Sequence, residues 1–255
     1  MAFPPPSGAA MRSPGELETL QRYARAAGVA MVLTVVFGAL GEMYLPGKIV
    51  INGDAAATAA NILAHPTLFR LTFASYLVEG ICDVALCVFF YILLKPVDRN
   101  LALLSAFFGL VSMITYAVSE SSFFAAAVVL RDSGGMPAFS LEQRQALALL
   151  CTRIATMIAT LFLGMYGIAT MLRGYLIARS RYLPRLLGIL FVIGGAGFFL
   201  RSATYLVAPA LTSQFLVLPM ILAMLPMTVW LLVRGIDGLA ASTTQSDAAP
   251  SWSVK

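Results

Sequence analysis

Glu79 and Asp83 stand four residues apart in LVEGICDVALCVFF, a run that is otherwise almost wholly apolar. On a helix that spacing puts both side chains on one face, with Tyr76 one turn above them. Two carboxylates this close call for a cation beside them. Five more residues share the setting. Glu42, Glu120, Arg153 and Arg201 lie in or at the edge of apolar runs, and Tyr76 completes the candidate group. An ionisable side chain at mid-membrane costs about 2.5–3.5 kcal/mol on insertion scales, so it is kept for a reason.

The missing chemistry is as informative. His65 is the single histidine and lies between apolar runs. Histidine-rich zinc sites, bis-histidine haem and an H-E-x-x-H protease are therefore excluded. There is no Walker A sequence, no G-x-G-x-x-G after a strand, and no lysine inside an apolar run for a retinal Schiff base. Aspartyl dyads bring carboxylates from different elements, which Glu79 and Asp83 on one helix do not. The expectation is a protein that is not an enzyme, with no cofactor and no metal.

The elements that must position these residues are legible from composition. Of 255 residues, 60% are hydrophobic and 11% charged; a soluble domain carries roughly 25% charged residues. Mean hydropathy is +0.86. Six apolar runs, near 26–45, 68–94, 101–128, 146–172, 186–208 and 213–233, are each long enough to cross a ~30 Å hydrocarbon core as helix. Their continuous hydropathy excludes a transmembrane barrel, whose strands alternate. The fold class predicted is all-α: a polytopic six-helix transmembrane bundle over 26–235, between an N-terminal tail (1–25) and a disordered C-terminal tail (236–255).

Charge orients the bundle. Arg12, Arg22, Arg25, Lys95, Arg99, Arg173, Arg179, Arg181, Arg185, Arg234 and Lys255 fall on one side; Lys48, Arg131 and Arg144 fall on the other. The positive-inside rule then places both termini and both tails in the cytoplasm. The net charge of +5 reads as topology, not as nucleic-acid binding. Two outer loops have helix signals: Asp54 caps AAATAANILAH, a connector or a lid, and Ser140 with Gln143 has capping-box spacing for a helix from Leu141. Pro219 and Pro226 are expected to kink the sixth span, and no GxxxG motif is present. Cys82, Cys87 and Cys151 all fall inside spans and give no disulfide framework.

Three stretches carry a family likeness: GDAAATAANILAHPTLFRL at 53–71, YILLKPVDRNLALLSAFFGLV at 91–111 and RYLPRLLGILFVIGGAG at 181–197. They resemble a prokaryotic family of integral membrane proteins that carries a domain-of-unknown-function label, number 4386. The resemblance runs from about Arg25 to about Gly235. It implies a multi-pass protein of a prokaryotic cytoplasmic (inner) membrane and no activity or ligand residue.

Counting inward from the basic loops puts Glu42, Glu120 and Arg153 near the outer boundary, Glu79 about two turns down, Asp83 near the midplane and Arg201 about 7 Å below the surface. The inner half is then free of charge. Acids lie on the first three spans and arginines on the next two, which predicts ion pairs joining the two halves. Two readings stay open. One is a polar cavity open to the outside that binds or transports a small polar solute, with proton coupling through Glu79 and Asp83. The other is a non-catalytic structural or regulatory component, held by its ion pairs and binding a protein or lipid partner. Membrane lipids are expected neighbours, nucleic acid is not, and six spans leave room for a homodimer.

Overall fold

The computed structural model describes residues 14–51, 53–131 and 139–236. Among them there is no strand, and six helices are long and apolar enough to cross a membrane. The helices are α1 (Pro14–Gly38), α2 (Leu45–Ile49), α3 (Ala55–Ala64), α4 (Pro66–Leu94), α5 (Arg99–Leu130), α6 (Leu141–Arg179), α7 (Arg185–Val207) and α8 (Leu218–Val233). A π-helical segment, Ala39–Tyr44, joins α1 to α2. The first span thus runs through α1, the π segment and α2. The all-α, six-span expectation holds, and the protein is a multi-pass membrane protein by the length and hydropathy of its helices.

The six long helices close a ring in the order α1, α4, α5, α6, α7, α8, with α8 returning to α1. Their outward faces carry large apolar side chains such as Leu77 (56% exposed), Ile81 (62%), Ile114 (66%) and Leu186 (65%). That is an arrangement suited to lipid as solvent. Inside the ring the core contains Met31, Leu86, Phe90, Tyr166, Phe191 and Met227, among others. The first part of α1 and the end of α8 meet at one end of the ring. Gln21 Nε2 donates to the Arg234 carbonyl at 3.1 Å, and Gln21 Oε1 accepts from Ile236 N–H at 2.8 Å. Tyr182, in the α6–α7 turn, hydrogen-bonds the Leu93 carbonyl at the same end. We call this the terminal end and its opposite the distal end.

Local signals set the helix boundaries. Asp54 Oδ1 accepts from Ala57 N–H at 2.8 Å and starts α3. Ser140 and Gln143 close the predicted capping box and start α6 at Leu141. Asp98 caps α5 through two backbone N–H groups. With 39 residues, α6 is about 58 Å long at 1.5 Å per residue and overshoots the hydrocarbon layer. Its distal part carries α3: Ala59 and Ile62 pack in a separate distal core with Ala148 and Ala155 of α6. This packing docks the short helix on the distal end.

Two expectations need correction, and a third falls almost wholly outside the described residues. Helix α1 begins at Pro14, and Leu20 and Ala24 are buried, so part of the stretch 1–25 read as a tail is packed helix. Of the C-terminal tail only Ile236 lies within the described residues. Pro219 does not kink the last span: it occupies the first turn of α8, where no intrahelical N–H is needed, and only Pro226 lies inside the helix.

Without a GxxxG motif, α6 and α7 still approach at contact distance. Gly167 faces Gly195, and Gly174 faces Gly188; a Cβ on Gly167 or Gly174 would come within 2.6 Å of the opposite glycine's carbonyl oxygen. The spacing is seven residues on each helix, so the small faces repeat along an antiparallel seam. In lipid, where apolar burial gives helices little reason to associate, close backbone approach of this kind is a main attraction. Buried serines stitch α5 to α6: Ser105 Oγ donates to the Ala169 carbonyl at 2.9 Å and Ser119 Oγ to that of Ala155 at 2.8 Å.

Candidate functional site

The site is built where α1 opens. Pro46 has no N–H to offer the carbonyl four residues back, that of Glu42, and its ring crowds that carbonyl. The chain answers with the wider π turn over Ala39–Tyr44. Such turns recur at functional sites. Just before it, Gly38 leaves room for Glu79: a Cβ there would meet Glu79 Oε1 at 2.5 Å. Gly41 lies equally close to Ser75 and Tyr76, with a Cβ 3.2 Å from either. The first span therefore comes down on the polar face of α4 through two glycines.

Four carboxylates gather there. Glu79 and Asp83 are buried, at 7% and 4% exposure, and Glu120 is half-buried. Glu42, on the π segment, is exposed. Glu79 lies within electrostatic range of Glu42, Asp83 and Glu120. Two hydrogen bonds hold the deeper acids. Tyr116 Oη donates to Glu79 Oε2 at 2.7 Å, and Thr34 Oγ1 donates to Asp83 Oδ1 at 3.2 Å. Glu42 adjoins the same Tyr116, and Tyr76 adjoins Glu120, whose buried Oε2 has no hydrogen-bond partner. Aromatic rings wall the group: Tyr76 meets Tyr116 edge-on at 5.7 Å, and Tyr116 packs on Phe162 at 4.8 Å.

The predicted ion pairs do not form. Among the described residues the one salt bridge is Arg22–Glu18, on the surface of α1. Arg201 is half-buried and interacts with Glu42 at long range, without closing a pair. Arg153 is exposed on α6 and takes no part in the cluster. Glu42, Tyr76, Glu79, Asp83 and Glu120 are thus brought together with Arg201 at their edge, and Arg153 is not.

The charge-free inner half is also corrected. Arg173, counted with the basic loop, is only 3% exposed and lies within the bundle. Its Nη2 donates to Cys87 Sγ at 3.2 Å, and its guanidinium sits over Phe90 and Tyr166, 5.5 and 5.6 Å from the ring centroids. Gly109 makes the room, since a Cβ there would come within 2.6 Å of Nη2. Helix α6 runs on to Arg179, so a residue read as the start of a loop is still inside the ring. Tyr116, Thr34 and Arg173 are the residues the sequence reading missed. For Tyr116 a signal existed: it precedes Glu120 by four residues and shares its face.

From the distal end inward the polar groups form one column. Tyr76 and Glu120 come first, then Glu42, Tyr116 and Glu79, then Asp83 with Thr34, and last Arg173 with Cys87 and Tyr166. Among the described residues no three histidine, cysteine or acidic side chains converge closely enough to hold a metal ion. The arrangement suits a diffuse positive charge or protons shared between carboxylates.

A family model described as domain of unknown function (DUF4386) matches residues 26–235. Comparison with curated proteins and with solved structures finds no match.

Proposed function

We propose, for a chain that belongs to the DUF4386 family and so takes no activity from it, that the carboxylate column binds a small positively charged solute and passes it across a membrane. The single observation that carries this reading is the excess of acid. Four carboxylates share one neighbourhood with two arginines, Arg201 acting on Glu42 and Arg173 on Asp83, and no ion pair neutralises them. Buried charge without a partner is costly, and an entering cation would offset that cost. The exposed Glu42 is the point of entry, and Glu79 and Asp83 are the seats. Protons on the same carboxylates would balance the column when the solute is absent, which is the basis for proton coupling.

The protein acts in this reading as a binder or carrier and not as an enzyme. It sits in the cytoplasmic membrane of a prokaryote with its terminal end inside, as the lopsided distribution of Lys and Arg supports even after Arg173 is set aside. The column then opens from the outer side. A homodimer is compatible with six spans.

The test is uptake and binding in proteoliposomes with a panel of small ammonium compounds. Glu79→Gln should remove binding while the protein stays folded and correctly inserted. Full activity in that variant would reject the site. A structural role is the second reading, supported by the Tyr116–Glu79 and Thr34–Asp83 hydrogen bonds, which tie three helices together. It predicts that Glu79→Gln lowers stability and that no member of the panel binds the wild type.

A further inference from the structure

Two groups of opposite charge are buried inside the ring, and each is bonded to a neutral partner. Asp83 is 4% exposed and Arg173 3%. Asp83 Oδ1 accepts a hydrogen bond from the Thr34 hydroxyl at 3.2 Å. Arg173 Nη2 donates to Cys87 Sγ at 3.2 Å, although a thiol is a weak acceptor and a guanidinium carries five N–H donors. Cys87 follows Asp83 by four residues on α4, so the two share a face, about 6 Å apart along the helix axis. Among the described residues neither charge closes a salt bridge. The strongest hydrogen bonds of both groups are those with a charged partner, and the fold supplies neither one.

Packing seats the guanidinium on Cys87. It lies over the rings of Phe90 and Tyr166, a favourable surface for a cation. Gly109 of α5 makes its room, since a Cβ there would meet both Nη2 and Cys87 Sγ at 2.6 Å. A third polar group stands beside it. Thr170 is wholly buried, and its hydroxyl has no hydrogen-bond partner. It comes four residues after Tyr166 and three before Arg173, so the three share one face of α6. That face lies between Ala169, which meets α5, and Gly167 and Gly174, which meet α7, and is the one turned to the interior of the ring. An unsatisfied buried hydroxyl is costly. Here it adjoins a guanidinium without an anionic acceptor, and a carboxylate in the ring interior would accept from both.

We propose that the solute is a small amino acid, whose ammonium group is seated at Asp83 and whose carboxylate is received by Arg173 and the Thr170 hydroxyl. This rests on the cation site proposed above and adds the seat for the other end of the same molecule. The positive charge that the acids recognise is then one end of a zwitterion. Its two charged groups are one or two carbons apart, which suits partners separated by one helical turn. Arg173 keeps the position it has on Cys87 and the two rings, and offers the solute the N–H groups that the thiol does not use. A zwitterion is neutral as a whole, so it pairs both buried charges without adding a third, and buried charges are tolerated when paired and hydrogen-bonded. A simple ammonium ion leaves Arg173 without its anion, and a simple carboxylate leaves Asp83 without its cation.

The experiment uses the full chain in lipid nanodiscs at neutral pH, with melting temperature as the readout and sodium chloride at matched concentration as the control. The probes are methylammonium, glycine and β-alanine; the last two carry a carboxylate as well as an ammonium group. Glycine or β-alanine should stabilise the wild type at about tenfold lower concentration than methylammonium, the worth of one hydrogen bond between charged groups. In Arg173→Gln the ratio of the two midpoints should fall to about one, whichever way the methylammonium midpoint moves. Equal midpoints in the wild type overturn the proposal, and so does a ratio that survives in Arg173→Gln. A protein stabilised by methylammonium and no better by either amino acid keeps the cation site and loses this inference; a protein that no probe stabilises loses both. Should Arg173→Gln not fold, Thr170→Val decides, because it removes no hydrogen bond of the present structure. A several-fold fall in the ratio supports the proposal, and an unchanged ratio overturns it.

Discussion

The Tyr116 hydroxyl of α5 donates to Glu79 Oε2 of α4 at 2.7 Å, and the same tyrosine adjoins Glu42 of the π turn. One side chain thus links three segments of the ring at the level where the acids converge. Removal of that hydroxyl leaves the ring intact and orphans a buried carboxylate. Tyr116→Phe is therefore expected to cost about 1–3 kcal/mol, with a lower melting temperature in detergent and weaker solute binding. An unchanged melting temperature would show that Glu79 finds another donor.

Gly38 tests the geometry of the seat without touching a charge. Its missing side chain is the space that Glu79 Oε1 occupies. Gly38→Ala should displace the carboxylate and reduce binding at least as much as Tyr116→Phe. Gly80, on the same helix as Glu79, has open space around it. There the alanine gains about 0.5–1 kcal/mol of helix propensity, so Gly80→Ala should melt higher and bind normally. Equal effects of the two substitutions would remove the steric argument.

The α6–α7 seam predicts a structural effect. Gly174 lies against the backbone of Gly188 and Val192, with a Cβ 2.6 Å from either. Since the opposing atoms are backbone, the helices must separate to admit a side chain. Gly174→Leu should lose at least the 1–3 kcal/mol typical of overpacking and abolish a monodisperse folded peak in size-exclusion chromatography. A normal elution profile with an unshifted melt would show that the seam is looser than described.

The two arginines first grouped with the acids should behave differently. Arg153 is exposed and outside the cluster, so Arg153→Gln is expected to change melting and binding little, within about 0.5 kcal/mol. Arg201 acts on Glu42 at long range, so Arg201→Gln should strengthen cation binding by removing like charge near the entrance. Titration of both variants with methylammonium checks this; a loss of binding in Arg201→Gln would make that arginine a structural partner of the acids.

Hydropathy and local hydrogen bonding were readable along the chain. Six spans follow from runs of apolar residues, because crossing a bilayer is a property of a continuous stretch. Asp54, Ser140 and Gln143 placed the starts of α3 and α6, because a cap involves residues three apart. The acids on α4 and α5 were recognised as unusual for the same reason: a charge in an apolar run is visible without knowing its neighbours. Pro46 could have announced the π turn, since its missing N–H acts on a carbonyl four residues away.

Helix rotation and partner choice were not readable. In a soluble helix a polar face marks the outside, but here lipid and core are both apolar, and the long helices are apolar nearly all round. The pattern therefore does not say that Arg153 faces out, that Arg173 faces in, or that Tyr116 and not an arginine meets Glu79. Those choices depend on which glycines let α6 approach α7, on the opening of α1 at Glu42, and on the room that Gly109 leaves for a guanidinium. Each is a fit between residues far apart in the chain, set by packing across the ring, which only the tertiary structure decides.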